Sequence, residues 1–313
     1  MDVLSDAVTA MRTGQPHSAR VRRPAPFGRR FPPVSGAGFH IVRQGSCWLF
    51  PPAGAPLALG VGDVAFLPHG SAHGLADSRS TPLIDTSASP AALPPAPDGV
   101  RPGGSAAETV LLCGAYLLDR SRAHPLLADL PEVIHLPARV GRHPELRAAV
   151  DLLGGELDQT RPGGDAMLPA LLEVLLLHIL RAWFDDRSAD GTANRWVRAL
   201  GDPAVAAALR AIHGEPGRPW TVEALATRAG LSRAAFARRF TARVGHPPLT
   251  YLTWWRMTVA ARLLRDTAAP LAAIAGRVGY TSEFAFAHAF KREHGQAPGG
   301  FRRSPGPEPI AAE

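Results

Sequence analysis

Residues 222–240, VEALATRAGLSRAAFARRF, are written a second time with changes as LAAIAGRVGYTSEFAFAHAF at residues 271–290. Val222, Leu225, Ala226, Ala229 and Gly230 correspond to Leu271, Ile274, Ala275, Val278 and Gly279 at an offset of 49. One residue is then inserted, and Ser232, Phe236 and Phe240 meet Ser282, Phe286 and Phe290 at an offset of 50. In each copy the apolar residues recur at the i, i+3, i+4, i+7 spacing of a helix face. A glycine follows where that helix must stop, since it tolerates a left-handed turn. The serine then stands where its hydroxyl can cap a second helix. A helix–glycine–helix unit written twice predicts two helix-turn-helix units, whose second helix lies in a DNA major groove.

The phenylalanines form i, i+4 pairs facing the first helix of each unit, as core. The opposite face of the first copy carries Arg233, Ala234, Ala237, Arg238 and Arg239; that of the second carries Glu283, Phe284, Ala287, His288, Lys291 and Arg292. Arginine can read guanine bidentately or pin a phosphate, and alanine permits close approach. Such arginines alone fit a solvated helix face equally well. The regional balance favours nucleic acid. Residues 220–303 hold 13 basic against 4 acidic side chains, whereas the whole chain has 34 against 27, so the remainder is slightly acidic. Between the copies, residues 249–266 place Tyr251, Leu252, Trp255, Val259, Leu263 and Leu264 at helical spacing. Eighteen helical residues span about 27 Å, enough to hold two recognition helices roughly 34 Å apart on one side of a duplex.

Over residues 220–303 the chain resembles the AraC/XylS family of bacterial transcription regulators. The resemblance is carried by LSRAAFARRF, the GHPP turn, YLTWWRM, IAGRVGYTSEFAFAHAFKREHG and the PGGFR ending. It implies base contacts from Ala234, Ala237 and Arg238 in the first unit, and from Glu283, Phe284, Ala287 and His288 in the second. Arg239 and Lys291 would then contact phosphates. It also implies double-stranded DNA and RNA polymerase as partners, and leaves activation or repression open.

Residues 1–137 read differently. A short amphipathic helix opens the chain, and FHIVRQG, SCWLF, PLALG, DVAFLP and VLLCGAYLLD are short β-rich runs bounded by turn formers. They predict a sandwich or barrel, with residues 86–108 as a flexible low-complexity loop. GDVAFLPHGSAHGLAD, residues 62–77, resembles the second signature motif of cupin barrels, with Asp77 where asparagine is usual. This part is similar to the cupin-type sensor domain of one AraC subgroup, although no His-x-His-plus-Glu motif precedes it. His73 is the matched cupin histidine. His40 lies on the FHIV strand candidate, and Cys47 and Cys113 lie on the SCWLF and LLCGAY candidates. Imidazole and thiolate suit zinc or another transition metal; two thiols on strands of one barrel can also form a disulfide in response to an oxidant; and buried cysteines are common core residues. All three readings stay open, as does a small-molecule effector.

Residues 143–159 and 166–186 predict two helices of a connector. The second is apolar nearly all round, which requires burial within the chain or against a second copy in a homodimer. Residues 185–194 read as a polar linker. The expected organisation is multidomain α+β: a cupin-like β-barrel over 1–137, a helical connector over 138–194, an all-α double helix-turn-helix over 195–303 and a tail over 304–313. Two cysteines make no disulfide framework, no run approaches about 18 apolar residues, and the start has no signal-peptide core, so a cytoplasmic regulator without membrane contact is expected. The competing class is a metal-dependent cupin enzyme fused to a DNA-binding module. It needs three or more converging ligands, and only His73 comes with a motif, so a non-enzyme is expected.

Overall fold

A computed structural model describes residues 2–85, 108–118, 124–159, 161–191 and 195–304. The expected loop lies outside them except for Glu108, as do the tail beyond residue 304 and residues 192–194 of the expected linker. The described residues form two compact units: one within Gly14–Leu118 and Leu130–Trp183, the other within Met1–Thr13, Asp119–Asp129 and Phe184–Glu308.

The first unit holds two five-stranded sheets. One runs in the order β1 (His17–Pro24), β9 (Glu108–Tyr116), β3 (Ala37–Gln44), β6 (Val64–Leu67) and β10 (Ile134–Leu136). The other runs β5 (Leu57–Leu59), β4 (Cys47–Phe50), β7 (His73–Ala76), β2 (Gly28–Phe31) and β8 (Ile84–Asp85). Neighbours are antiparallel except the parallel β2 and β8 pair. The five strand candidates form as β3, β4, β5, β6 and β9. The expected barrel does not close: among the described residues the sheets stay separate, with no ladder joining them. Alternation along a strand decides which side faces inward, but not whether edge strands pair. Val42, Ala65 and Leu111 from one sheet pack with Cys47, Leu49, Leu59 and Leu75 from the other in a shared core.

The connector helices are α3 (Pro144–Asp158) and α4 (Gly164–Ala189). The Tyr116 hydroxyl donates to the Leu172 carbonyl at 2.9 Å, fixing α4 to the end of β9. Leu172, Leu175, Leu176, Ile179 and Leu180 are buried, whereas Met167 and Val174 are 51% and 42% exposed, so within one chain the burial of α4 is one-sided. With 26 residues and an 18-residue window of mean hydropathy 1.7, α4 also has the length and composition of a membrane span. A strict count of consecutive apolar residues had hidden this, because isolated polar residues interrupt the run. The helix continues through residues 185–189, read from sequence as linker, where no glycine or proline stops it.

The second unit is helical among the described residues: α1 (Val3–Met11), α2 (Pro125–Ala128), α5 (Arg195–Leu200), α6 (Pro203–Gly214), α7 (Val222–Arg228), α8 (Arg233–Val244), α9 (Pro248–Asp266), α10 (Leu271–Arg277), α11 (Glu283–His294) and α12 (Pro298–Arg303). Asp2 caps the amphipathic α1, which packs on α6 and α9. Beneath it runs a buried polar chain. The Leu126 amide donates to His124 Nδ1 at 3.0 Å, so His124 Nε2 carries the proton and donates to the Tyr251 hydroxyl, also at 3.0 Å. Tyr251 in turn donates to His213 Nε2 at 2.7 Å, leaving the His213 Nδ1 proton turned toward Asp6, 3.5 Å away.

This order needs both imidazoles neutral, and burial pushes both below the usual histidine range: His124 well below, with His213 adding to the effect, and His213 against the pull of Asp6. The unfolded chain therefore takes up protons first as pH falls below about 6.5. Stability is complete above that value and is lost below it, by about 1.4 kcal/mol per pH unit for each such histidine, until its folded pKa is reached. Urea midpoints at pH 7.5 and 5.5 should show a clear fall. A flat profile would contradict this placement.

Candidate nucleic-acid interface and sensor cluster

Both glycine-turned helix pairs form where the repeat predicts them. Gly230 and Gly279 adopt φ of 66° and 81°, a left-handed conformation that side-chain-bearing residues rarely accept. Ser232 Oγ accepts from the Ala235 amide and Ser282 Oγ from the Ala285 amide, each at 3.4 Å, capping α8 and α11. The two halves have equivalent interiors. Phe236 and Phe240 are fully buried beside Tyr251, and Phe286 and Phe290 are fully buried in a core with Ile274, Val278, Met257 and Leu264.

Burying these rings turns the opposite faces outward. On α8, Arg233, Ala234 and Arg238 are exposed and Ala237 is half-buried; on α11, Glu283, Phe284, His288 and Lys291 are exposed and Ala287 is half-buried. Each set forms one stripe at helical spacing. Arg239 is exposed as well, and its Nε donates to Asp202 Oδ2 at 2.7 Å, with Arg243 approaching the same oxygen at 3.6 Å. Asp202 caps α6 by accepting from the Ala204 and Val205 amides. Burial would raise its carboxyl, but Arg239 and those amides together hold it below the usual range. Arg239 therefore braces α8 against α6. Sequence reasoning missed Asp202, although an aspartate just before Pro203 is a helix-start signal.

Within the two-sheet unit, His40, His73 and Cys113 come together. His40 lies directly across the ladder from Cys113, and its Nδ1 is 3.1 Å from the sulfur. Its Nε2 is 2.7 Å from His73 Nε2, and His73 Nδ1 lies 2.9 Å from the Ser71 carbonyl. That carbonyl can only accept, so one proton order satisfies the chain: His73 Nδ1 donates to Ser71, His40 Nε2 donates to His73, and the Cys113 thiol donates to His40. Burial depresses both histidines, and mutual repulsion depresses His40 further. The Cys113 thiol is pushed up to about 12 by burial, with Arg23 opposing and Cys47 adding to the rise. Burial and Asp63 lift Cys47 to about 12 as well. Both thiols are free, packed against one core and protonated at neutral pH.

The arrangement is serial: Cys113, His40 and His73 follow one another along a chain of hydrogen bonds. His40 and His73 spend their facing nitrogens on each other, and Cys113 sits at the far nitrogen of His40. Among the described residues no group of three or more such side chains is placed to hold a metal ion. Cys113 lines a cavity of about 50 Å³ with Phe27, Phe31, Leu75, Arg23 and Arg29, room for a very small molecule. Ser71 carries no sequence signal, since only its carbonyl takes part.

A family model described as a cupin domain matches residues 2–185, and one described as a helix-turn-helix domain matches residues 225–304. An AraC-like transcription regulator of Streptomyces antibioticus is 35% identical over 308 residues, 98% of this chain and 100% of that protein. The transcriptional regulator AlkR of Acinetobacter baylyi is 32% identical, over 84% of this chain and 87% of its own length. The RCS-specific transcriptional activator RclR of Escherichia coli is also 32% identical, over 84% and 83%. Among solved structures, the DNA-binding domain of AdpA in complex with a target DNA is 35% identical over 32% of this chain and 90% of that chain, with a TM-score of 0.31.

Proposed function

The chain belongs to the AraC-like transcription regulators that join a cupin domain to a helix-turn-helix domain, and on that premise we propose how it meets DNA. Both helix pairs bind double-stranded DNA, α8 and α11 each entering a major-groove segment, with α9 as the rigid spacer between them. The observation that carries this reading is the pair of serine-capped helices with buried phenylalanines on one side and outward stripes at matching positions on the other. On α8, Arg233 and Arg238 supply the polar readout, with Ala234 and Ala237 allowing close approach. On α11 the readers are Glu283, Phe284, Ala287 and His288, with Lys291 on the backbone. The positive surplus of residues 220–303 supports the same face.

The cupin domain senses a small molecule or oxidant at the Cys113–His40–His73 chain, with Cys47 in the adjoining core. Supporting this are the cavity beside Cys113 and a proton order that any change at sulfur disturbs. The functional division follows the sequence: a sensor over 1–137, a connector over 138–194 and a DNA-binding region over 195–303. The exposed side of α4, with Met167 and Val174, offers a surface for a second copy. The regulator acts in the cytoplasm with RNA polymerase and catalyses no reaction. A signal shifts promoter binding only if it has unequal affinity for two states of the protein.

The test uses full-length protein and a site selected from random duplexes. Arg238→Ala is expected to weaken that site by about five- to 150-fold, and wild-type affinity is expected to fall steeply as salt rises. Affinity unmoved by both changes would overturn the DNA-binding reading.

A further inference from the structure

We infer that Phe284 reads the C5-methyl group of thymine, so that a thymine step beneath α11 decides which operators this chain selects. The inference rests on the DNA-binding reading above. Its starting observation is an exposed ring. Phe236, Phe240, Phe286 and Phe290 on α8 and α11 are fully buried, whereas Phe284 is 89% exposed. The repeat shows that the position need not be aromatic, since its counterpart in α8 is Ala234. The ring supports no internal packing, so its use lies outside the fold.

The surroundings of the ring define what it meets. Phe284 is the second residue of α11, and it shares one outward stripe with Ala287, His288 and Lys291. The N-terminal residues of a recognition helix approach base edges. Cations are absent from this first turn: Glu283 precedes the ring, and Lys291 and Arg292 come two turns later. A carboxylate and a phenyl ring cannot clamp phosphate, so the head of α11 faces bases and its tail faces the sugar–phosphate backbone. Ala287 is small and half-buried one turn on, leaving space beside the ring. Among the four base pairs, thymine alone presents an apolar group to the major groove, its C5 methyl. A ring with no hydrogen-bonding atoms discriminates by covering that methyl.

The experiment starts from a duplex selected from random sequence by the full-length protein. Each dT in the selected site is replaced in turn by dU, which removes the methyl and keeps base pairing. Wild-type affinity is expected to fall about fourfold for each methyl covered by the ring, at one or two positions. The Phe284→Ala variant is expected to bind the dT and dU duplexes equally, and Phe284→Leu to retain part of the preference. Because the ring is exposed, unchanged melting of both variants serves as the folding control. A wild-type protein indifferent to dU at every position, or a Phe284→Ala variant that keeps the preference, overturns the inference while leaving DNA binding intact. Failure to enrich any sequence overturns the DNA-binding reading, and the inference falls with it.

Discussion

Replacing Phe286 with alanine is expected to cost about 3–5 kcal/mol of stability, the range for emptying a large ring from a closed core. Phe286 has no exposed surface and packs with Ile274, Ala275, Val278 and Phe290 among residues from α9, α10 and α11. Little can collapse into the space, because its neighbours are held from three helices at once. The same substitution at Phe284, two residues earlier, is expected to change stability by no more than about 0.5 kcal/mol. Urea unfolding of both variants, followed by circular dichroism, makes the comparison. Equal losses at the two positions would mean that α11 is rotated about its axis relative to the arrangement described here.

The second large effect is expected from Tyr251→Phe. The change preserves the ring and its packing but removes a hydroxyl that accepts from His124 Nε2 and donates to His213 Nε2. Tyr251 and His124 have no exposed surface and His213 only 2%, so water cannot readily replace the lost oxygen. Each buried group left unpaired costs about 1–3 kcal/mol, or roughly 2–6 kcal/mol for the two. The substitution also severs the polar route from Asp6 on α1 to His124 beside α2. Thermal and urea unfolding should both register the loss. A change below about 0.5 kcal/mol would show that the three side chains are not joined as described.

What the sequence disclosed was local. The Gly230 and Gly279 turns, the Ser232 and Ser282 caps and the Phe pairs depend on residues within one or two helical turns, and periodicity reveals them directly. The strands β3, β4, β5, β6 and β9 announced themselves as apolar runs between turn formers. Strand β1 did not, because HSARVRRP turns Arg20 and Arg22 outward along the edge of its sheet and lacks an apolar run. Contacts distant in sequence were hidden for the same reason. Arg239 was identified as cationic and helical, but its partner Asp202 lies 37 residues earlier. His40, His73 and Cys113 were expected together, yet the direction of each ring is set by backbone register and by the Ser71 carbonyl. That orientation makes the three side chains a file of hydrogen bonds.

The doubled scaffold carries unlike heads: arginines and alanines on α8, a carboxylate, a ring and an imidazole on α11. Near-identical interiors place the heads equivalently, while their chemistry makes them inequivalent. Under the DNA-binding reading, one copy of the chain therefore prefers a lopsided, non-palindromic stretch and can seat on it only one way round. A lone bound subunit would thus point upstream or downstream, conferring polarity on a promoter without help from a symmetry mate.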